Sequence, residues 1–427
     1  MRFTKPQLII LSVAGFVALV ILLMVVFGFG LKDDLNRPNV ELEVWGVGDE
    51  LKVWQESITK FESIYPSVRV RYTKLDAATY EKQLLDALAA GSGPDVFMFH
   101  NTWLPKHGNK VVPASSEQIP LSTFRNLFPV VVEQDFVKGG QIFSLPLSVD
   151  TLALFYNRDI FDNKRIALAP TTWDELKATI LKVREFKVGG GLSRAALSIG
   201  GTSRSVTNAA DILSLIMLQY KTEMVNPDGS RMAISNPQGL AALNFYTQFS
   251  RSGSAYYTWS DSFKPSIDSF AAKQTAMIMA YASEIPEIKA KNPALNFAVA
   301  QAPQFNKNEA INFANYWGLA ASIKTPHPKE AWDFIIFTTT NSEVASNYIT
   351  LTGKPPAPRF LINKYLTNPT LGVFAAQALI ARSWPQIDNV EVKKSFDDMI
   401  ESVVTNKLSS EKALREAENE LNALMER

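Results

Sequence analysis

A chain of 427 residues that is 46% apolar is longer than one hydrophobic core usually serves, so the composition predicts two lobes. Lys and Arg number 43 against 42 Asp and Glu, a net charge of +1 with no basic run of five, which excludes the electrostatic footprint of a nucleic-acid partner. The absence of cysteine removes disulfides, thiolate metal sites, cysteine nucleophiles and a thioether lipid anchor; with His100, His107 and His327 as the whole imidazole complement, zinc hydrolysis and histidine-relay chemistry lack their groups.

From Leu8 to Leu31 no residue is charged, enough at about 1.5 Å per residue to cross a bilayer core of roughly 30 Å. Arg2 and Lys5 precede the stretch and Lys32, Asp33 and Asp34 follow it, which predicts a cytoplasmic segment 1–7, a transmembrane anchor 8–31 and a polar tether 32–39 leading to an exported remainder. The run exceeds the apolar region of a signal peptide, and no A-x-A pattern follows it.

Beyond the tether, strand and helix patterns alternate, as in parallel sheets covered by helices. Val40–Trp45 alternates like a strand; Asp49 is a candidate N-cap for a helix whose Leu51, Trp54, Ile58 and Phe61 share a face. Val68–Tyr72 is the next strand, Tyr80–Ala90 a helix stopped by Gly91, and Val96–Phe99 a buried strand after the GSGPD turn, where Asp95 has a turn-stabilising role. Residues 142–157 are one long extended stretch, and Thr172 with Glu175 forms a capping box for a helix through Phe186. Helices follow at 208–220, 237–251 with Pro237 in the first turn, 266–273, 328–339, 341–350, 391–405 and 410–426, with a strand at Thr275–Tyr281.

Gly46 and Gly48 stand between a strand and a helix, but Leu51 occupies the third position of G-x-G-x-x-G, so no dinucleotide site is predicted; the free N–H groups of Gly46–Glu50 are instead available to a hydroxyl or carboxylate. No P-loop, nucleophile elbow or EF-hand is present, and no cofactor is implied. Asp150 sits among small and apolar residues, where a charge needs a partner or a cleft. Trp54, Trp173 and Trp332 lie on helical stripes and are core; Trp45, Trp103, Trp317 and Trp384 lie at strand ends or in loops, from which an α/β sheet presents side chains to a cleft. Aromatic faces beside hydrogen-bonding groups suit a sugar.

Six segments taken in order resemble the extracellular solute-binding proteins of ABC importers, in the sugar-binding cluster that includes maltose-binding protein: ITKFESIYPSVRVRY (58–72), YEKQLLDALAAGSGPDVFMF (80–99), LPLSVDTLALFYNRDIF (145–161), PTTWDEL (170–176), FAAKQTAMIMAYAS (270–283) and YWGLAASIKTPHPKEAWDFIIF (316–337). The resemblance implies an α/β periplasmic-binding-protein-like clamp of the class II type, with 40–148 and about 312–360 in one lobe and 152–311 with about 361–427 in the other. It places Asp150 on an acid that binds sugar hydroxyls, Asp49 and Thr102 on polar contacts, Phe99 on an aromatic platform, Ser283 on an aromatic position and Trp317 beside the ligand. Ser at 283 and Thr at 102, where the maltodextrin binder carries an aromatic residue and a carboxylate, argue against maltodextrin specificity.

The implied protein is a non-enzymatic monomer, anchored in the cell membrane by a single pass, that captures a carbohydrate on the extracellular or periplasmic side and hands it to ABC permease subunits; metal ions are disfavoured as ligands. The alternatives are an anchored glycan-active hydrolase using two acids, and a sensing receptor not coupled to transport. Both Trp317→Ala and Asp150→Ala are expected to weaken ligand binding while leaving unfolding nearly unchanged.

Overall fold

The computed structural model describes residues 40–426. The cytoplasmic segment, the anchor and the tether expected at 1–39 lie outside the described residues; among those described, no helix is long and apolar enough to cross a membrane.

Two sheets organise the chain. In the first, Val40–Val47 lies between Val68–Leu75 and Val96–His100 and is parallel to both. Parallel neighbours need crossovers, and Leu51–Ile64 and Tyr80–Ala90 supply them, the latter closed by Gly91 at φ 73°, a left-handed conformation that glycine adopts without strain. Trp317–Ser322, from late in the chain, runs antiparallel to Val96–His100 and also pairs with Val111–Val112 and Leu145–Pro146. The chain therefore leaves this lobe and returns to it.

In the second sheet Ala153–Asn157 lies antiparallel between Thr275–Ala280 and Phe297–Gln301, and Leu192–Leu197 runs parallel to Thr275–Ala280. Both faces are covered: Leu154, Met277 and Met279 pack into the cluster of Trp173, Leu176 and Ile216, while Phe155 stacks on Phe297 at 5.9 Å and meets Phe374 at 6.1 Å from the other side. That explains strands apolar at every position.

The lobes are joined by a ribbon of three crossings, in which Asn312–Asn315 is antiparallel to Asp150–Thr151 and parallel to Ala381–Arg382. The helix Arg359–Tyr365, which begins at the boundary expected near 360, packs on Leu121–Leu127, and Arg359 donates to the Phe128 carbonyl at 2.9 Å. The helices Asn389–Val404 and Ser410–Met425 pack together on the second lobe.

Local signals fared unevenly. The Thr172–Glu175 capping box forms, with its helix ending at Val183, and Pro237 opens its helix. Asp95 accepts from the Glu43 backbone at 2.9 Å and from Thr325 at 2.5 Å, a structural role. Glu50 rather than Asp49 stands at the N-cap, without a side-chain cap bond, and the stretch 142–157 is broken into short strands because it threads from one sheet through the ribbon into the other.

Candidate ligand-binding cleft

A cleft between the lobes follows the ribbon and opens into three chambers. The first, about 170 Å³, lies between Val47, Met98, Trp317 and Lys354 of the first lobe and Asp150 and Ser283. The second, about 210 Å³, is bounded by His100 and Thr102, by Asn315 of the ribbon, and by Asn208, Asp211 and Lys393 of the second lobe. The third, about 280 Å³, lies between Leu104, Gln134 and Asp135 on one side and Asp228, Trp384 and Ile387 on the other. Asn315 is shared by the first two, and Asn101 and Thr102 by the last two.

Asp150 begins the first crossing, and its carboxylate is heavily engaged: Oδ1 accepts from Thr151 N at 2.9 Å and Ala282 N at 3.0 Å, and Oδ2 from Ser283 N at 2.9 Å. It thereby caps the short helical turn Ala282–Glu284 from across the ribbon. Burial pushes the carboxyl up to about 6, with the Ser283 and Ala282 N–H groups pulling the other way. The residue also lines the first chamber, beside Ser283.

In the second chamber a chain of bonds runs from lobe to lobe. His100 is held neutral, its imidazole lowered to about 4 by burial. Thr102 donates through its hydroxyl (2.8 Å) and its N–H (3.4 Å) to Nδ1, which fixes the proton on Nε2, and Nε2–H donates to Asn315 Oδ1 at 3.0 Å. The Asn315 amide donates to Asp211 at 3.3 Å, and Asp211 also accepts from Tyr281 at 2.7 Å; burial raises its carboxyl. Bordering the third chamber, Asp135 accepts from Tyr316 at 2.7 Å, Asn101 at 3.1 Å and Ser383, so one buried carboxyl, raised to about 7 by burial, ties the first lobe to two crossings.

Residues 46–345 match the model of the family described as bacterial extracellular solute-binding protein. The chain belongs to this family. A protein of Brucella abortus (strain 2308) named as a binding protein is 20% identical over 387 residues, covering 88% of this chain and 90% of its own length. Two solved structures share the fold: the sugar-binding protein MalE from Xanthomonas citri, with a TM-score of 0.77 at 21% identity over 91% of this chain and 98% of that one, and the cyclic alpha-maltosyl-1,6-maltose binding protein from Arthrobacter globiformis, with a TM-score of 0.76 at 20% identity over 91% and 99%.

In this solute-binding protein the expected contact residues are sorted by strand period. Along Val96–His100, Met98 and His100 face the cleft, so Phe99, the expected platform, points into the core at 0% exposure against Phe136 and Trp103. Trp45 shares a face with Val47, but only Val47 reaches the cavity; two residues earlier lies roughly 7 Å back along the strand. Asp49 faces its own lobe: it accepts from Lys354 at 2.7 Å and Tyr348 at 2.8 Å, which themselves line the first chamber. Within Gly46–Glu50, two of the N–H groups are likewise taken up inside the lobe, Gly48 N donating to Leu75 O at 3.1 Å and Asp49 N to Val47 O at 2.9 Å.

Asp150, Ser283 and Trp317 meet in the first chamber and Thr102 in the second and third. Trp317 rests edge-on against His100 at 4.8 Å and Trp103 at 5.2 Å, with Trp103 buried behind it. The sequence reading missed His100, Asn208, Asp211, Asn315, Lys354 and Lys393, whose only local signal was polarity next to an apolar strand or helix.

Proposed function

We propose that this chain closes around a carbohydrate outside the cell, moored to the membrane by residues 8–31, and delivers it as a monomer to an ABC permease without covalent chemistry. The observation that carries the carbohydrate class is the second chamber, where Asn101, Thr102, Asn208, Asn315, Gln386 and Asn389 converge around a neutral imidazole. Uncharged amides and hydroxyls, each donor and acceptor, match a ring of hydroxyls, and the half-buried face of Trp317 is available for stacking next door. The sugar and the cyclic maltosyl-maltose for which the two solved relatives are named support the same class. Hydrolysis is disfavoured by the commitment of the buried cleft acids: Asp135, Asp150 and Asp211 are each bonded to two or more protein donors, whereas a general acid or base must exchange its proton with substrate.

Contacts from both lobes favour the closed form over the open one, and only that differential affinity shifts the population. The test is calorimetry with small-angle scattering on the purified full chain across mono- and oligosaccharides, with a labelled oligosaccharide assayed for turnover. Binding heat with compaction and no turnover is expected; neither heat nor compaction with any saccharide would overturn the proposal, and turnover abolished by Asp150→Asn would replace it with the hydrolase.

A further inference from the structure

Away from the ribbon, a single ion pair among the described residues crosses the cleft: Lys106 Nζ lies 2.5 Å from Asp388 Oδ2. Lys106 belongs to the short first-lobe helix Leu104–His107, and Asp388 caps the second-lobe helix Asn389–Val404. Their neighbours line the chambers, Leu104 and Pro105 facing Ile387 in the third and Gln386 and Asn389 bounding the second. The pair therefore spans the cleft beside the junction of these chambers.

We propose that Lys106 and Asp388 form a reversible latch that biases this protein toward the closed form and so sets ligand affinity without touching the ligand. Reversibility follows from how the two groups are otherwise held. The same ammonium also donates to Glu81 of the first lobe at 2.7 Å, and Asp388 Oδ1 accepts from the Val390 and Glu391 N–H groups at 3.0 and 3.3 Å. When the lobes part, Lys106 keeps Glu81 and Asp388 keeps its cap, so neither charge is stranded. The partners are partly exposed, at 29% and 22%, so the attraction is modest and screened by salt. His107 bonds the same Glu81 oxygen at 2.8 Å and fixes that carboxylate at the first-lobe end of the latch.

The inference rests on the clamp reading but not on the identity of the ligand, and its test needs no ligand. The chain has no cysteine, so spin labels can be placed at Lys52→Cys and Lys412→Cys, exposed positions on opposite lobes, and distances measured in the full chain in detergent. Asp388→Asn keeps the helix cap, asparagine being as good an N-cap, while removing the charge; Lys106→Met keeps the apolar stem. Each is expected to lower the closed-to-open ratio of the unliganded protein roughly two- to fivefold, the double variant no further. Raising salt from 50 to 500 mM is expected to open the parent and leave Lys106→Met unmoved. Unchanged distances in a folded Asp388→Asn, or equal salt responses in parent and Lys106→Met, would overturn the latch even if a saccharide binds; altered distances would sustain it even if every saccharide failed.

Discussion

Replacing Asp150 by alanine strips the acceptor from three backbone N–H groups at once, those of Thr151, Ala282 and Ser283. A buried donor left without a partner costs about 1–3 kcal/mol, and water from the adjoining chamber can satisfy some of the three, so the lost bonds amount to roughly 3–6 kcal/mol. Against this stands the charge itself. Burial lifts the carboxyl from an ordinary 3.8 to about 6, and that gap corresponds to about 3 kcal/mol disfavouring the ionised form in the folded state. A folded value above the unfolded one means that the group's favourable contribution is complete below about 3.8 and is lost as pH rises through about 6. The alanine variant escapes that loss. The destabilisation by Asp150→Ala is therefore expected to be about 3–6 kcal/mol near pH 4 and about 0–3 kcal/mol above pH 7. Urea unfolding of parent and variant at both pH values, followed by tryptophan fluorescence, measures it. A penalty that grows with pH would refute the reasoning, because it would mean that the buried site prefers the carboxylate. The near-neutral effect on stability expected from sequence is thus confined to the higher pH range.

Trp317→Ala is expected to raise the ligand Kd at least tenfold by calorimetry and, because the ring packs on His100, Trp103 and Tyr80, to cost about 2–4 kcal/mol in denaturant unfolding as well; an unchanged Kd would remove it from the site. Lys354→Met leaves the Asp49 carboxylate with Tyr348 as its remaining side-chain donor and is expected to destabilise by about 1–3 kcal/mol, most of it recovered in the double variant with Asp49→Asn. In Gly46→Ala the added Cβ would lie 2.2 Å from the Tyr72 hydroxyl, which donates to the Asp49 carbonyl; a cost of about 1–3 kcal/mol is expected, and a melting temperature equal to the parent's would refute the close approach. Asp135→Asn is expected to flatten the fall in stability that the parent shows between about pH 4 and pH 7, since burial raises that carboxyl to about 7 and its contribution is present below the ordinary range and lost as pH rises through 7.

The two-lobed architecture was legible because its signals are local. Apolar strands, Gly91 at a helix end and the Thr172–Glu175 box act over a few residues and need no partner from elsewhere. The cleft was legible at Asp150, where a charge stands in an apolar run, and at Trp317, which follows a strand boundary. It was not legible at Phe99, where a pleat of one residue separates the core from the cavity and Met98 takes the facing position. Nor was it legible at Asp49, whose partner Lys354 is 305 residues away.

Composition and order of segments determined what kind of molecule this is: too long for one core, too poor in imidazole and thiol for the commonest metal and relay chemistries, and patterned like an exported solute-binding clamp. Tertiary structure alone decided which polar groups share a chamber, because His100, Asn315 and Asp211 come from the first lobe, a crossing and the second lobe. Hydrogen bonding reaches about 3 Å and is blind to distance along the chain, so a site assembled from three returns of the backbone leaves no spacing to read.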